Sequence, residues 1–203
     1  MAKATYHHGN LRAALLEAGE RLLREHGAAN ISLRSVARAA GVSHTAPYRH
    51  FADKQALLAA LAEIGFARLR DAMYASIATH PDDPRQQFVE SAAAYVGLAL
   101  ANPEMNQLMF GGTVPDAARS DSFRETAEAS FQGLLDIIGN GMRAGLYVDR
   151  PLLELAATAW SLVHGLAMLA STGKLPGSDQ PDTDPQTMAR HMAERLLDGI
   201  AAR

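Results

Sequence analysis

The sequence predicts an all-α chain of about nine helices, with a small N-terminal helix-turn-helix head and a larger helical body. Three observations predict it. Apolar residues recur at the i, i+3, i+4, i+7 spacing of a helical face through most of the chain. Proline and glycine mark the ends of most of these stretches. No alternating apolar–polar pattern of the kind a half-buried strand requires competes with them. With 203 residues, 48% of them apolar, the chain is long enough for a three-helix head at 1–54 and a second domain at 55–203 with a core of its own.

The first helix is predicted from about Asn10 to His26, with Leu11, Leu15, Leu22 and Leu23 inward and Gly27 as its stop. Ser32 caps the second, whose inner face is Leu33, Val36, Ala37 and Ala40. Gly41 supplies the left-handed residue of a sharp turn, and Val42 re-enters the core. Ser43 is expected to cap a short third helix ending near His50 or Phe51. Asp53 and Lys54 open a fourth running to about Ala78, roughly 38 Å at the usual helical rise. His80-Pro81-Asp82-Asp83-Pro84 is a break. A helix from about Arg85 to Ala101 follows, then a short one opened by Pro103 and ending before Gly111-Gly112. A long helix is expected from about Asp121 to Gly145, weakened towards its end by Gly139 and Gly141. Asp149 and Pro151 open the next, to about Thr172. After a polar loop at 174–183, Asp184 and Pro185 open the last, to about Ala202.

The run Ser32 to Lys54 therefore contains two short helices joined by a tight turn and followed by a third helix start. A helix laid in a DNA major groove presents base edges to its N-terminal residues, here His44, Thr45 and Ala46, with Pro47 behind them. Tyr48, Arg49, His50 and Lys54 supply hydroxyl, imidazole and cationic groups suited to phosphate oxygens on either side of the groove. Ser32, Arg34 and Ser43, at the starts of the two short helices, complete the candidate DNA-binding set. Phe51 is read as a packing residue. The charge agrees: residues 1–54 carry a balance of +4 and five of the eight histidines, whereas the remainder carries −7.

These residues carry a resemblance. Gly41-Val42-Ser43 followed by Tyr48-Arg49-His50-Phe51 and Asp53-Lys54 resembles the N-terminal domain of the tetracycline-repressor-like (TetR) family of bacterial transcription regulators. The likeness extends back through Tyr6-His7-His8-Gly9-Asn10-Leu11-Arg12. It implies phosphate binding by Tyr48, His50 and Lys54, and groove-facing positions for His44, Thr45 and Ala46. The chain departs from the commonest family pattern, Lys-Gly-Thr-Leu, in having His44-Thr45-Ala46-Pro47, so the resemblance implies no base preference. Pro47 lacks a backbone donor, which is tolerable at a helix start, where the first donors have no internal partners.

The last two helices carry apolar or small residues on more than one side: Leu152, Leu155, Ala156, Ala159, Leu162, Val163, Leu166 and Leu169, then Met188, Met192, Leu196 and Ile200. Burial against a partner chain is the economical solution, so a homodimer is expected. The resemblance implies the same, with a four-helix bundle across a two-fold axis and two reading heads roughly 34 Å apart or somewhat more on a palindromic operator of double-stranded DNA. Trp160-Ser161-Leu162-Val163-His164-Gly165 resembles the C-terminal signature of one branch of the family, named for its Trp, His and Gly. Trp160 and His164 share a helix face. They are read either as interface packing, with Gly165 permitting close helix approach, or as a polar handle in an effector cavity.

For that cavity the candidate residues are Tyr95, Met105, Met109, Phe110, Phe131, Ile138, Met142, Trp160 and His164. They suit a small, largely apolar effector, and each serves an ordinary core equally well. The function expected is a repressor released from DNA when an effector favours one tilt of the fourth helix. A constitutive or activating regulator without effector is the alternative. An all-helical enzyme is remote, because no phosphate loop, His-Glu-x-x-His or Gly-x-Ser-x-Gly motif is present. No cofactor or metal is expected: adjacent His7 and His8 do not share a helix face, and the absence of cysteine excludes thiolate ligation, disulfides and a cysteine nucleophile. The cysteine-free composition fits a cytoplasmic setting. No membrane anchor is expected, since the run Leu155 to Thr172 contains Trp160, Ser161, His164 and Gly165 and reads better as a buried or interface helix.

Overall fold

Most predicted helix starts correspond to a local device in the computed structural model, which describes residues 11–147, 150–175 and 184–200. Eight α-helices are found among the described residues, with no strand: α1 (Leu11–His26), α2 (Leu33–Ala39), α3 (Lys54–Thr79), α4 (Pro84–Ala101), α5 (Pro103–Phe110), α6 (Asp121–Arg143), α7 (Leu152–Ser171) and α8 (Pro185–Ile200). Three 3₁₀ segments lie at Ala28–Asn30, Ala46–Arg49 and Asp116–Ala118. Tyr6 to Asn10 of the motif, Asp149, most of the 174–183 loop and Ala202 lie outside the described residues.

The caps explain why the helices begin where they do. Ser32 and Ser35 form a reciprocal capping box, the Ser35 amide donating to Ser32 Oγ at 3.1 Å and the Ser32 amide to Ser35 Oγ at 2.9 Å. Asp53 accepts from the Ala56 amide at 2.8 Å to start α3, and Asp83 from the Gln86 amide at 3.0 Å to start α4. Ser120 performs the same task for α6, accepting from Phe123 at 3.1 Å, and Asp184 for α8, accepting from Thr187 at 2.9 Å. Pro84, Pro103 and Pro185 each occupy the first position of a helix, where a missing N–H costs nothing.

The chain forms two compact units, residues 1–65 with 104–124, and 66–103 with 125–203. The sequence places the division at 54/55, where the helix-turn-helix motif ends. The first turns of α3 nevertheless belong to the first unit because Leu57, Leu58, Leu61 and Ala62 are all buried there, Leu61 lying against Gly19 of α1. Segment 104–124 joins them: Met105 and Met109 of α5 approach Gly65 so closely that any side chain at 65 would displace them. Each of these buried leucines contributes roughly 1.5–3 kcal/mol by leaving water.

In the second unit α4 packs chiefly on α8 and α7, which also pack on each other. Gly139 and Gly141 lie inside α6 rather than fraying it. The ring of Tyr147 occupies the space a Cβ at Gly141 would need, so glycine is required there by close approach. Tyr147 also meets Phe88 edge-on at 6.5 Å, and its burial raises its hydroxyl pKa to about 12.

The turn after α2 is a Schellman motif: the Val42 amide donates to Ala37 O at 3.0 Å and the Gly41 amide to Arg38 O at 3.2 Å. Gly41 has φ +69° with open space where a Cβ would project. Gly41→Ala should therefore destabilise the protein by about 1–2 kcal/mol through backbone strain alone. Urea unfolding checks this, and an unchanged midpoint would show that the turn relaxes.

Candidate functional site

The reading element of the first unit differs from the helix expected at 44–51. It is one turn of 3₁₀ helix, Ala46–Arg49, entered from Thr45, and Ser43 does not cap it. Ser43 instead accepts the Ala46 amide on its carbonyl at 3.0 Å, while its hydroxyl meets Thr45 Oγ1 at 3.2 Å. The 3₁₀ turn closes on the Pro47 carbonyl, which accepts from both His50 and Phe51 amides at 2.9 Å. Pro47, itself buried, fixes the entry to this turn and cannot donate. His44 and Thr45 thus precede the helical turn.

Burial sorts the candidate DNA residues clearly. Ser32, Arg34, Ser43, His44, Thr45, Tyr48, Arg49 and His50 are exposed, and Ala46 is half-buried. Tyr48 is 53% exposed, unusual for so large a ring, whereas Phe51 beside it is 3% exposed with the Arg12 guanidinium 5.7 Å from its ring centre. Phe51 is therefore the anchor and Tyr48 the presented group. The Ser32 hydroxyl is engaged in its cap. Lys54 has a role that the sequence does not reveal: its ammonium donates to Ala29 O at 2.7 Å, tying the start of α3 to the segment between α1 and α2. An ammonium has three donors, so this bond leaves capacity for a phosphate oxygen.

The predicted effector residues divide between the two units. Met105, Met109 and Phe110 lie on α5 in the first unit, with the two methionines packed on Gly65. Tyr95, Phe131, Ile138, Met142, Trp160 and His164 belong to the second. There Ile138 is fully buried in α6 and Met142 is half-buried near its end, while the Phe131 ring lies 6.2 Å from Trp160. Tyr95 and Trp160 line a small cavity of about 40 Å³. Its other walls are Phe88, Ser91 and Ala92 from α4, Met73 from α3 and Leu134 from α6. Ala159, Leu162 and Val163 of α7 and Ala193 of α8 complete it. Sequence reasoning missed Phe88, Ser91 and Ala92, although with Tyr95 they form the i, i+3, i+4, i+7 stripe that would have identified this face of α4.

The geometry explains the Trp160–His164 spacing. Being one turn apart on α7, both side chains reach the Tyr95 hydroxyl on α4: its oxygen lies 2.7 Å from His164 Nδ1 and is also hydrogen-bonded by Trp160. An indole N–H can only donate, so the Tyr95 oxygen accepts from Trp160, while the Tyr95–His164 bond runs from the phenol when the imidazole carries its proton on Nε2 and from the imidazole when it carries it on Nδ1. Burial raises the Tyr95 pKa to about 12, partly offset by the Trp160 bond, and lowers that of His164.

Sequence profiles and relatives bear on both units. The profile described as "Bacterial regulatory proteins, tetR family" matches residues 15–61, and that described as "Tetracyclin repressor-like, C-terminal domain" matches residues 88–196. An HTH-type transcriptional regulator of Mycobacterium tuberculosis (strain ATCC 25618 / H37Rv) is 31% identical over 137 residues, covering 66% of this chain and 58% of that protein. A regulator of the same description from Mycobacterium bovis matches equally. The chain thus spans less than two thirds of the length of these curated relatives. Among solved structures, a protein of unknown function from Rhodococcus sp. RHA1 is similar with TM-score 0.86 and 36% identity, over 98% of this chain and 100% of that one. A TetR family transcription regulator from Marinobacter aquaeolei VT8 is similar with TM-score 0.69 and 25% identity, over 95% and 96%.

The His164 environment sets a pH dependence. Folding holds this histidine below its ordinary pKa of 6.5, so the unfolded chain binds its proton first as pH falls. The stability this provides is complete above pH 6.5 and is lost as pH drops from there through the folded value. Unfolding free energies measured across that window should fall more steeply for the natural protein than for His164→Gln; parallel curves would show that His164 is freely protonated in the fold.

Proposed function

The chain belongs to the tetR family of bacterial regulatory proteins, and we propose that it is a cytoplasmic transcriptional repressor that binds a palindromic DNA operator as a homodimer and is released by a small, largely apolar effector. The observation that carries the DNA-binding part is the reading turn itself. A buried Pro47 and Phe51 hold a rigid frame from which Thr45, Tyr48, Arg49 and His50 all project into solvent. Polar and cationic groups presented in this way, on a helix-turn-helix with a net positive charge, match a phosphate backbone. His44, Thr45 and Ala46 face the groove, and Arg34, Tyr48, Arg49, His50 and Lys54 take phosphates.

The dimer reading rests on α7 and α8. Helix α7 is long and apolar enough to cross a membrane, and only 28% of its most apolar window is buried within the chain. A partner copy supplies the missing cover more economically than lipid, because Ala157, Ser161 and Gly165 fall at four-residue spacing on the exposed side. Among the described residues, and apart from the backbone of its own helix and its chain neighbours, nothing comes within 4 Å of the place where a Cβ on Gly165 would be. Small residues so aligned allow another helix to approach closely. On α8, Met188, Met192, Leu196 and Ile200 form a half-exposed row beside the buried row Ala189, Ala193 and Leu197. The effector part rests on the cavity. Met73, on its wall, lies on the helix that opens with Lys54, so a ligand that displaces Met73 acts on a helix shared by both units. Release requires the ligand to favour the conformation of α3 that does not fit DNA.

Genome-wide binding followed by sequencing should recover a palindromic site; on that site, Arg49→Ala should flatten the dependence of log affinity on log salt by about one unit for each phosphate contact removed. An unaltered slope would take Arg49 out of the interface. Met192→Glu with Leu196→Glu should convert a dimer to a monomer in sedimentation and abolish operator binding. If the sedimentation rate does not change, the dimer surface lies elsewhere.

A further inference from the structure

The lining of the α4–α7 cavity restricts what it can hold, and this restriction deepens the effector reading on which it rests. Every wall residue is uncharged. Only two carry a polar side chain, apart from the indole of Trp160, and both hydroxyls are already engaged within the fold. Ser91 donates to Phe88 O at 2.7 Å, and the Tyr95 hydroxyl is hydrogen-bonded to His164 Nδ1 at 2.7 Å and by the Trp160 indole. What the wall offers a guest is the acceptor oxygen of Ser91, with no cation to meet an anion. A carboxylate or phosphate placed here would lose its water without replacement. No carboxylate lines the wall to meet a cation.

Size restricts the guest further. At about 40 Å³ the cavity is well below the roughly 150 Å³ in which an apolar protein site accommodates benzene. The wall that can yield is Met73, a flexible thioether side chain resting against the bare backbone of Gly133. Leu134 adjoins it. A single ring can be admitted by moving these two side chains, whereas a larger body would have to part α4 from α7 and α8.

We propose that this cavity takes an uncharged molecule of about one aromatic ring bearing at most one hydrogen-bond donor, a phenol-like guest whose hydroxyl is accepted by Ser91 Oγ. The three aromatic walls, Phe88, Tyr95 and Trp160, then contact its faces and edges.

Trp160 is the chain's single tryptophan and lies in the wall, so its emission reports occupancy directly. The natural protein would be titrated with phenol, toluene, benzoate and tetramethylammonium, following Trp160 emission and thermal unfolding together. Saturable responses are expected for phenol and toluene, phenol binding more tightly, with benzoate and tetramethylammonium at least ~10-fold weaker. In Ser91→Ala the advantage of phenol over toluene should disappear while toluene binding persists. Benzoate binding as well as phenol would overturn the proposal, as would a preference for tetramethylammonium, which would make the aromatic walls a cation cage. No saturable response to either neutral ring would also overturn it. Operator binding measured in parallel separates this inference from the repressor reading. Rings that occupy the cavity without changing DNA affinity would leave the ligand class standing and remove effector release. DNA affinity that responds only to some other ligand would do the reverse.

Discussion

The second unit is organised by the burial of α4. Helix α4 has buried residues on every side, from Gln87 and Phe88 through Ser91, Ala92 and Tyr95 to Ala99, so each polar group it carries must find a partner within the fold. Four such groups do so in four ways. Gln87, 1% exposed, donates to His80 O at 2.8 Å and accepts from Asn140 of α6 at 2.7 Å. Glu90 receives a bidentate pair from Arg190 of α8 at 2.9 and 3.0 Å, and this hydrogen bonding holds its pKa below the ordinary carboxylate value. Ser91 is satisfied by its own helix, and Tyr95 by α7. Three neighbouring helices are thus fixed in rotation about α4 by polar contacts, while apolar packing supplies most of the energy.

The cavity follows from that arrangement. Phe88, Ser91, Ala92 and Tyr95 line it because the same stripe that faces α7 includes two small residues, Ser91 and Ala92, opposite small Ala159 and Ala193. Larger residues at these positions would close it. The hydroxyl of Tyr95 is held at the edge of this space by two groups on one turn of α7, so the aromatic walls are positioned before any guest arrives.

Much of this was legible in the sequence because helix ends are local. Ser32, Asp53, Asp83, Asp184 and the first-turn prolines act on amides two or three residues away, and Gly41 acts on its own φ. The third helix was less legible: it is one 3₁₀ turn entered from Thr45, with no side-chain cap from Ser43. The site was legible only where spacing within one helix carries it. Trp160 and His164 announce each other, but Tyr95, 69 residues from His164, is a matter of packing. Met105 and Met109 of the first unit illustrate the limit. Methionine suits a ligand wall and a packed core equally well, and what decides is the missing side chain of Gly65, at which both are directed.

The partnerships of α4 also shape how such a sequence can drift. Because Gln87, Glu90 and Tyr95 are each completed by a different helix, loss of any one leaves a donor or acceptor stranded on α6, α8 or α7 respectively. Substitution therefore proceeds by pairs: 87 with 140, 90 with 190, and 95 with 164 together with 160. The first two pairs leave the cavity wall intact and can vary as structural currency. The last cannot change without altering the wall itself, so turnover at 95, 160 and 164 is where the lining of this cavity would diverge among descendants of one ancestral chain.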